Sequence, residues 1–256
     1  MLITKANREP FVIITTHMLE SFFGRKIIYG IKIGFIGLGK LGMPCAEAIA
    51  KKGFHVAGYD IAQRTSDLIE ITNSIKDVCK GRDIVFIATP TPHEEGYDGR
   101  EPSSHKEVKD FDYTSVKKVL QECNKHMTET QSLVLISTVL PGTYRRLARK
   151  HKKIENLVYN PYLIAMGTVT TDFLYPDLAI FGYPFWKHGQ GMKTSHATAN
   201  KLIAFYEKIW NIKPFQAHGT YEEAECIKIF HNTYISAKVG IANMIGDVAH
   251  KINNVN

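Results

Sequence analysis

The chain has 256 residues, 44% of them apolar and 22% charged, with a formal charge of +7 at neutral pH. This suits a globular protein of one large domain or two small ones, and no apolar run approaches the ~18 residues of a membrane span. The early apolar patch FVIITT is not followed by a small-residue cleavage site, which excludes a secretory signal of ordinary form.

Residues 1–30 show no periodic pattern and read as an N-terminal extension. IKIGFIGLG then gives an apolar strand running into glycines, and MPCAEAIAKKG gives a helix closed by Gly53. HVAGYD is a second strand, a helix is expected around Ser66–Ile71, and DIVFIATP is a buried strand ended by Pro90. A long polar loop, TPHEEGYDGREPSSHKEVKDFD, follows. TSVKKVLQECNKHM reads as a helix, SLVLISTV as a strand, TYRRLARKHKK as a helix and NLVYN as a strand. DLAIFGY is one more strand, with a helix from about Thr198 to Trp210 after it.

This alternation predicts an α/β, Rossmann-like, doubly wound parallel sheet as one domain over residues 31–218. Residues 219–256 are expected to form a long central α-helix, the start of a second domain. Along it Ile227, Phe230, Tyr234, Ala237, Ile241, Ile245, Val248 and Ile252 recur at steps of three or four. Such a seam is suited to another helix, in this chain or in a second copy, so a homodimer is expected.

Four cysteines (Cys45, Cys79, Cys123 and Cys226) lie far apart, with no CxxC and no His/Cys spacing suited to zinc. Reduced thiols, a cytoplasmic location and no metal are therefore expected. The basic run RRLARKHKK, Arg145 to Lys153, lacks interleaved aromatics and suits a solvated helix face. Neither nucleic acid nor a membrane is expected as a partner.

GLGKLG spans Gly37, Leu38, Gly39, Lys40, Leu41 and Gly42, directly after a strand and at the opening of a helix. The first glycine permits the tight turn, the second lets backbone amides approach a pyrophosphate, and the third allows close helix–strand packing. Asp60 ends the next strand, where a carboxylate can accept hydrogen bonds from both ribose hydroxyls. An acid there repels a 2′-phosphate, so NAD is expected rather than NADP, although Arg64 nearby could accept that phosphate.

ATPTP, with Thr89, Pro90 and Thr91, and STVLPGT, with Ser137 and Thr138, close two later strands. Strand ends of this fold line the cofactor cleft, where small hydroxyls can touch the nicotinamide ribose. Thr138 counts among the catalytic candidates as well. Together with NPYLIAMG (160–167) and EAECIKIFHN (223–232), this ordered set resembles the UDP-glucose/GDP-mannose dehydrogenase family over roughly Ile31 to Asn256. The resemblance implies an enzyme with a nucleotide-sugar substrate, oxidising a sugar C6 alcohol to a carboxylate in two NAD-dependent steps. A cysteine captures the intermediate aldehyde in that family.

The family's lysine and asparagine match Lys228 and Asn232, one helical turn apart, where ammonium and amide can stabilise an oxygen gaining negative charge. The β-hydroxyacid dehydrogenase family resembles GFIGLGKLGMP, STV and the lysine–asparagine pair nearly as well. The polar insertion after TPTP and the acids Glu222, Glu223 and Glu225 before Lys228 favour the sugar-nucleotide family.

Two departures stand out. Asn160 opens a loop in which the family's two glutamates are replaced by Tyr162 and Met166, and neither can serve as a carboxylate base. The family's nucleophilic cysteine belongs to a loop beyond the long helix, and none of the four cysteines here substitutes for it. The chain therefore reads as the N-terminal part of a sugar-nucleotide dehydrogenase or, alternatively, as a catalytically idle NAD-binding module that assembles through its helix.

Overall fold

The computed structural model describes residues 30–102, 104–151, 156–184 and 196–252. The N-terminal extension and the end of the basic run, at Lys152 and Lys153, lie outside the described residues.

The strands are β1 (Lys32–Ile36), β2 (His55–Tyr59), β3 (Glu70–Ile71), β4 (Ile84–Ile87), β5 (Ser132–Leu135), β6 (Leu157–Tyr159), β7 (Leu178–Tyr183) and β8 (Phe215–Thr220). The helices are α1 (Gly42–Lys51), α2 (Ile75–Cys79), α3 (Thr114–His126), α4 (Thr143–Ala148), α5 (Val169–Leu174), α6 (His196–Ile209) and α7 (Tyr221–Ile252). One eight-stranded sheet has the order β3-β2-β1-β4-β5-β6-β7-β8. From β1 the chain winds outward to β2 and β3, then crosses back to β4 and runs the other way. A crevice opens at such a reversal, beyond the carboxyl ends of the strands.

The central strands carry no polar face because helices cover both sides, and β4, β5 and β6 are buried at every residue. Alternate side chains enter opposite layers. Ile33, Phe35, Ile84 and Phe86 pack with Cys45 and Ile49 of α1, Phe173 of α5 and Phe205 of α6. Ile36, Val85 and Ile87 pack with Val78 of α2, Leu120 of α3, Tyr144 of α4 and Tyr221 of α7.

The structure departs from the sequence expectation in four places. Glu70 and Ile71 belong to no helix but extend the sheet beside Ala57 and Gly58 of β2. Ser66 explains part of this: its hydroxyl accepts from Leu68 N–H at 3.2 Å and donates to Glu47 at 2.8 Å, a local turn that competes with helix. The sheet is parallel except where β7 meets β6 antiparallel, at the step where the sequence pattern shows two strands with no helix read between them. The strand in SLVLISTV ends at Leu135 and the helix in TYRRLARKHKK at Ala148, both short of the apolar or helical pattern. The helices α2 and α5 and the edge strand β8 are additional; α2 is announced by Ser74, whose hydroxyl caps Asp77 N–H.

The long helix is as expected from its seam. It opens with a reciprocal cap: Glu223 N–H donates to Thr220 Oγ1 at 3.2 Å, and Thr220 N–H to Glu223 Oε2 at 2.7 Å. Tyr221, Ala224, Glu225 and Lys228 are buried against the sheet domain. Phe230, Tyr234, Ile241, Ile245, Val248 and Ile252 of the seam are exposed.

Candidate cofactor cleft and lysine site

The glycine loop lies between β1 and α1, and each glycine answers a different constraint. Gly37 has φ +95°, and a Cβ there would stand 2.7 Å from the Ala88 carbonyl. A Cβ on Gly42 would fall 1.9 Å from the Gly37 carbonyl, so the helix could not begin where it does. A Cβ on Gly39 would meet nothing within 4 Å. Fold packing therefore requires two of the glycines, while the third borders open space at the start of α1. No side chain caps that helix and no acid sits in its first turn. Met43 N–H is taken by the Gly39 carbonyl and Pro44 has none, so the amides left for a ligand are those of the loop itself, beside the positive end of the helix dipole and the space that Gly39 leaves clear.

Asp60 closes the other side of this cradle. Its Oδ2 accepts from Leu38 N–H at 2.7 Å and its Oδ1 from Ala62 N–H at 2.8 Å. A carboxylate offers about four acceptor positions, so two remain for vicinal hydroxyls. The Arg64 guanidinium is 3.8 Å from Oδ1. Leu38 is buried beneath the loop, whereas Lys40 is exposed and Leu41 partly so.

The loops after β4 and β5 are tied to one another. Ser137 Oγ donates to the Thr89 carbonyl at 2.6 Å, and Thr91 Oγ1 to the Thr138 carbonyl at 2.8 Å. Pro90 is exposed between the two ties. The Thr89 hydroxyl is buried without a hydrogen-bond partner, next to the glycine turn. An orphaned hydroxyl beside an open, amide-lined cradle and a half-used carboxylate fits a dinucleotide diphosphate with its ribose. The residues present therefore suit NAD.

Lys228 stands where α7 passes the loop after β6. Its Nζ donates to the Tyr162 carbonyl at 2.8 Å and to Asn232 Oδ1 at 3.3 Å. The side chain is only 7% exposed, and burial brings its pKa down to about 8. Asn232 spends its oxygen on the lysine, which leaves its amide N–H groups to donate elsewhere.

Tyr162 contributes its carbonyl to this site and turns its phenol into the core. There its hydroxyl meets Tyr206 Oη at 2.7 Å; Tyr206 donates to Asn160 Oδ1, and Asn160 Nδ2 to the Ile180 carbonyl at 2.7 Å. Burial holds both phenols well above their ordinary range, so neither is a base. Asn160 is buried in this network, and Met166 is exposed at the loop tip. Lys228, Asn232 and Tyr162 thus come together, as do Thr89, Thr91, Ser137 and Thr138, while Met166 joins neither group.

Sequence reading missed the link between these groups. Glu225, fully buried on α7, accepts from Gly142 N–H at 2.6 Å and Tyr144 N–H at 2.7 Å. The glutamate's place three residues before Lys228 was legible, but not its partners 81 and 83 residues away. Beside it Glu222 accepts from Nε and Nη2 on one edge of the Arg145 guanidinium, at 2.5 and 2.9 Å.

Cys45, Cys79 and Cys123 are buried core thiols, and burial pushes Cys45 far above its usual range. The Cys79 and Cys123 sulfurs lie 3.9 Å apart. Among the described residues no cluster could hold a metal ion, and no helix is long and apolar enough to cross a membrane.

The family model for the NAD binding domain of the UDP-glucose/GDP-mannose dehydrogenase family matches residues 61–200. A UDP-glucose 6-dehydrogenase from Campylobacter jejuni is 26% identical over 185 residues, covering 72% of this chain and 41% of that protein. A UDP-N-acetyl-D-mannosamine dehydrogenase from Methanocaldococcus jannaschii is 25% identical, covering 87% of this chain and 52% of the relative. The crystal structure of a GDP-mannose dehydrogenase from Pseudomonas aeruginosa superposes with a TM-score of 0.69 at 22% identity, over 87% of this chain and 54% of that one. The chain spans about half the length of the curated relatives it matches.

Proposed function

The chain belongs to the UDP-glucose/GDP-mannose dehydrogenase family, and we propose that it is the NAD-binding part of an enzyme that oxidises the C6 alcohol of a nucleotide sugar towards a carboxylate. One observation carries the reading. A buried lysine, with no carboxylate hydrogen-bonded to it among the described residues, sits four residues from an asparagine and holds the loop after β6.

NAD, when bound, supplies the hydride acceptor. The residues of this chain do the rest of the work assigned here. The amides of the glycine loop before α1 and the Asp60 carboxylate would hold the dinucleotide by its diphosphate and ribose. The paired loops carrying Thr89, Thr91, Ser137 and Thr138 border the place of the reacting ring. With a pKa brought to about 8, Lys228 is poised near neutrality to accept or return the proton of a sugar hydroxyl. Both partners of its ammonium are neutral oxygens, so its charge is not spent on an ion pair and can act on an oxygen gaining negative charge. The Asn232 amide adds a second donor of the same sense.

Oxidation of the aldehyde in this family calls for a nucleophilic thiol, and Cys45, Cys79 and Cys123 are core residues unsuited to that role. The residues named above are therefore assigned to hydride removal. The exposed apolar seam of α7 supports a homodimer paired through this helix. Self-association in analytical ultracentrifugation is the expected outcome, and a monomer at high concentration would remove that part of the reading.

The test is NADH formation from UDP-glucose, GDP-mannose and UDP-N-acetylmannosamine beside a set of 3-hydroxy acids. Oxidation of a nucleotide sugar supports the proposal. Oxidation of 3-hydroxy acids alone overturns it in favour of a β-hydroxyacid dehydrogenase. Tight NAD binding with no turnover of either class would mark an assembly module.

A further inference from the structure

The geometry points to Glu225 as a positioning residue: its carboxylate caps α4 from across the molecule and so sets the register of the loop 137–142 against Lys228, one turn further along α7. The inference rests on the reading that this loop faces the cofactor.

The helix α4 cannot cap itself. The N-cap residue of α4 is Gly142, at φ +84°, and it has no side chain to offer. The Tyr144 amide is buried and needs an acceptor, while Gly142 stands at the exposed start of the helix. Glu225 supplies one oxygen to each, from 83 and 81 residues away. The loop also holds itself, through Thr143 N–H to the Leu140 carbonyl at 3.0 Å, and Tyr113 Oη accepts from Leu140 N–H at 3.1 Å; α7 supplies the acceptors that the start of α4 lacks.

The same short stretch of α7 also places the other wall. Three residues after Glu225, Lys228 binds the Tyr162 carbonyl in the loop after β6. A rigid helical turn therefore spans the two loops, each held through backbone atoms. Because Thr91 Oγ1 and Ser137 Oγ tie the loop after β5 to the loop after β4, a shift at Gly142 would pass to Thr89 as well.

Of the groups around Glu225, only Lys228, brought to about 8, also titrates near neutral pH. From α4 it faces Arg145, and Tyr144 lies beside it; from β6 it faces Tyr159; along α7 stand Glu222 and Lys228. Arg145 is engaged by Glu222, which holds Glu222 below the ordinary carboxylate range and Arg145 above its own. Burial carries both phenols upward, out of reach of neutral pH. Burial raises Glu225 to about 7 against the opposing pull of its two amides. The anion is the form that can accept fully from both amides, so the cap tightens as pH rises through that value.

Calorimetric NAD titrations of the wild type, Glu225→Gln and Asp60→Ala, on either side of about pH 7, test the assignment. The wild type is expected to bind NAD about 5–10-fold more tightly on the alkaline side, a step of roughly 1 kcal/mol or slightly more. Glu225→Gln, which can accept at only one oxygen, should bind at the weaker level at both pH values and lose the step. A Glu225→Gln protein that melts earlier yet keeps wild-type affinity and pH profile would show a merely structural role and overturn the proposal. If that variant does not fold, the wild type decides: a step near pH 7 supports the proposal and a flat profile overturns it. Should Asp60→Ala lose affinity while Glu225→Gln does not, the positioning role falls alone. Should neither change it, the reading of the cleft falls too.

Discussion

The two walls of the cleft are built in different ways. On the cradle side, Asp60 bonds an amide only 22 residues away, and every group belongs to one strand–helix–strand unit. On the lysine side, the bonds from Lys228 and Glu225 join positions 66 to 83 residues apart and draw on α4, α7 and the loop after β6. The first wall is made almost wholly of backbone: glycines permit it, and one carboxylate trims it. The second is made of side chains that hold distant backbone in place. Backbone sites tolerate no extra atoms, whereas side-chain sites depend on charge and burial, so the two should fail differently when altered.

The sharpest break is expected from a single methyl group on the cradle side. Gly42→Ala places a Cβ 1.9 Å from a carbonyl oxygen of the same loop. The backbone must move, and a loss of at least ~3 kcal/mol in denaturant unfolding is expected. Wild-type stability in Gly42→Ala would show that the turn is looser than its packing suggests.

The lysine wall should respond instead to pH. The Lys228 pKa of about 8 lies below its ordinary 10.5, so between those values the unfolded chain binds more protons than the folded one. Stability from this group is present above the ordinary value and is lost as pH falls through about 8. Compared with Lys228→Met, the wild type should gain roughly 2–3 kcal/mol as pH is raised across that window. A difference that does not vary with pH would mean that the amine is solvated in the folded state.

A smaller loss, confined to binding, is expected at the edge of the cradle. Asp60→Ala should weaken NAD by about 1–3 kcal/mol, the scale for hydrogen bonds to a charged acceptor. Calorimetry giving unchanged affinity would remove Asp60 from the site. Smallest of all is Thr91→Val, which deletes the 2.8 Å tie between the loops after β4 and β5. It should lower unfolding stability by about 1 kcal/mol, and an unchanged denaturation midpoint would show that Ser137 alone suffices to join them.

Legibility followed the same division. GLGKLG and Asp60 could be read directly because strand, turn and helix are consecutive and their geometry is imposed by residues a few positions apart. The length of α7 was equally clear, since its apolar steps and the Thr220–Glu223 cap are local signals. Ser66 misled because its hydroxyl favours a turn over the helix its neighbours suggest. In NPYLIAMG the substitution at Tyr162 was visible, but the response to it was not. The ring packs inward on Tyr206 and Phe173, and the carbonyl becomes the lysine's partner.

The sequence by itself determined the strand–helix alternation over most of the chain, the glycine turn between β1 and α1, and the helical turn that sets Lys228 four residues from Asn232. Periodicity, glycine placement and short spacings are all written along the chain. Only the tertiary structure decided that β7 runs against β6, that Tyr162 offers a carbonyl and not a side chain, and that Glu225 caps a helix far from it in sequence. Those choices depend on which buried amides and carbonyls are left without partners once the layers close, a quantity that exists only in the folded chain.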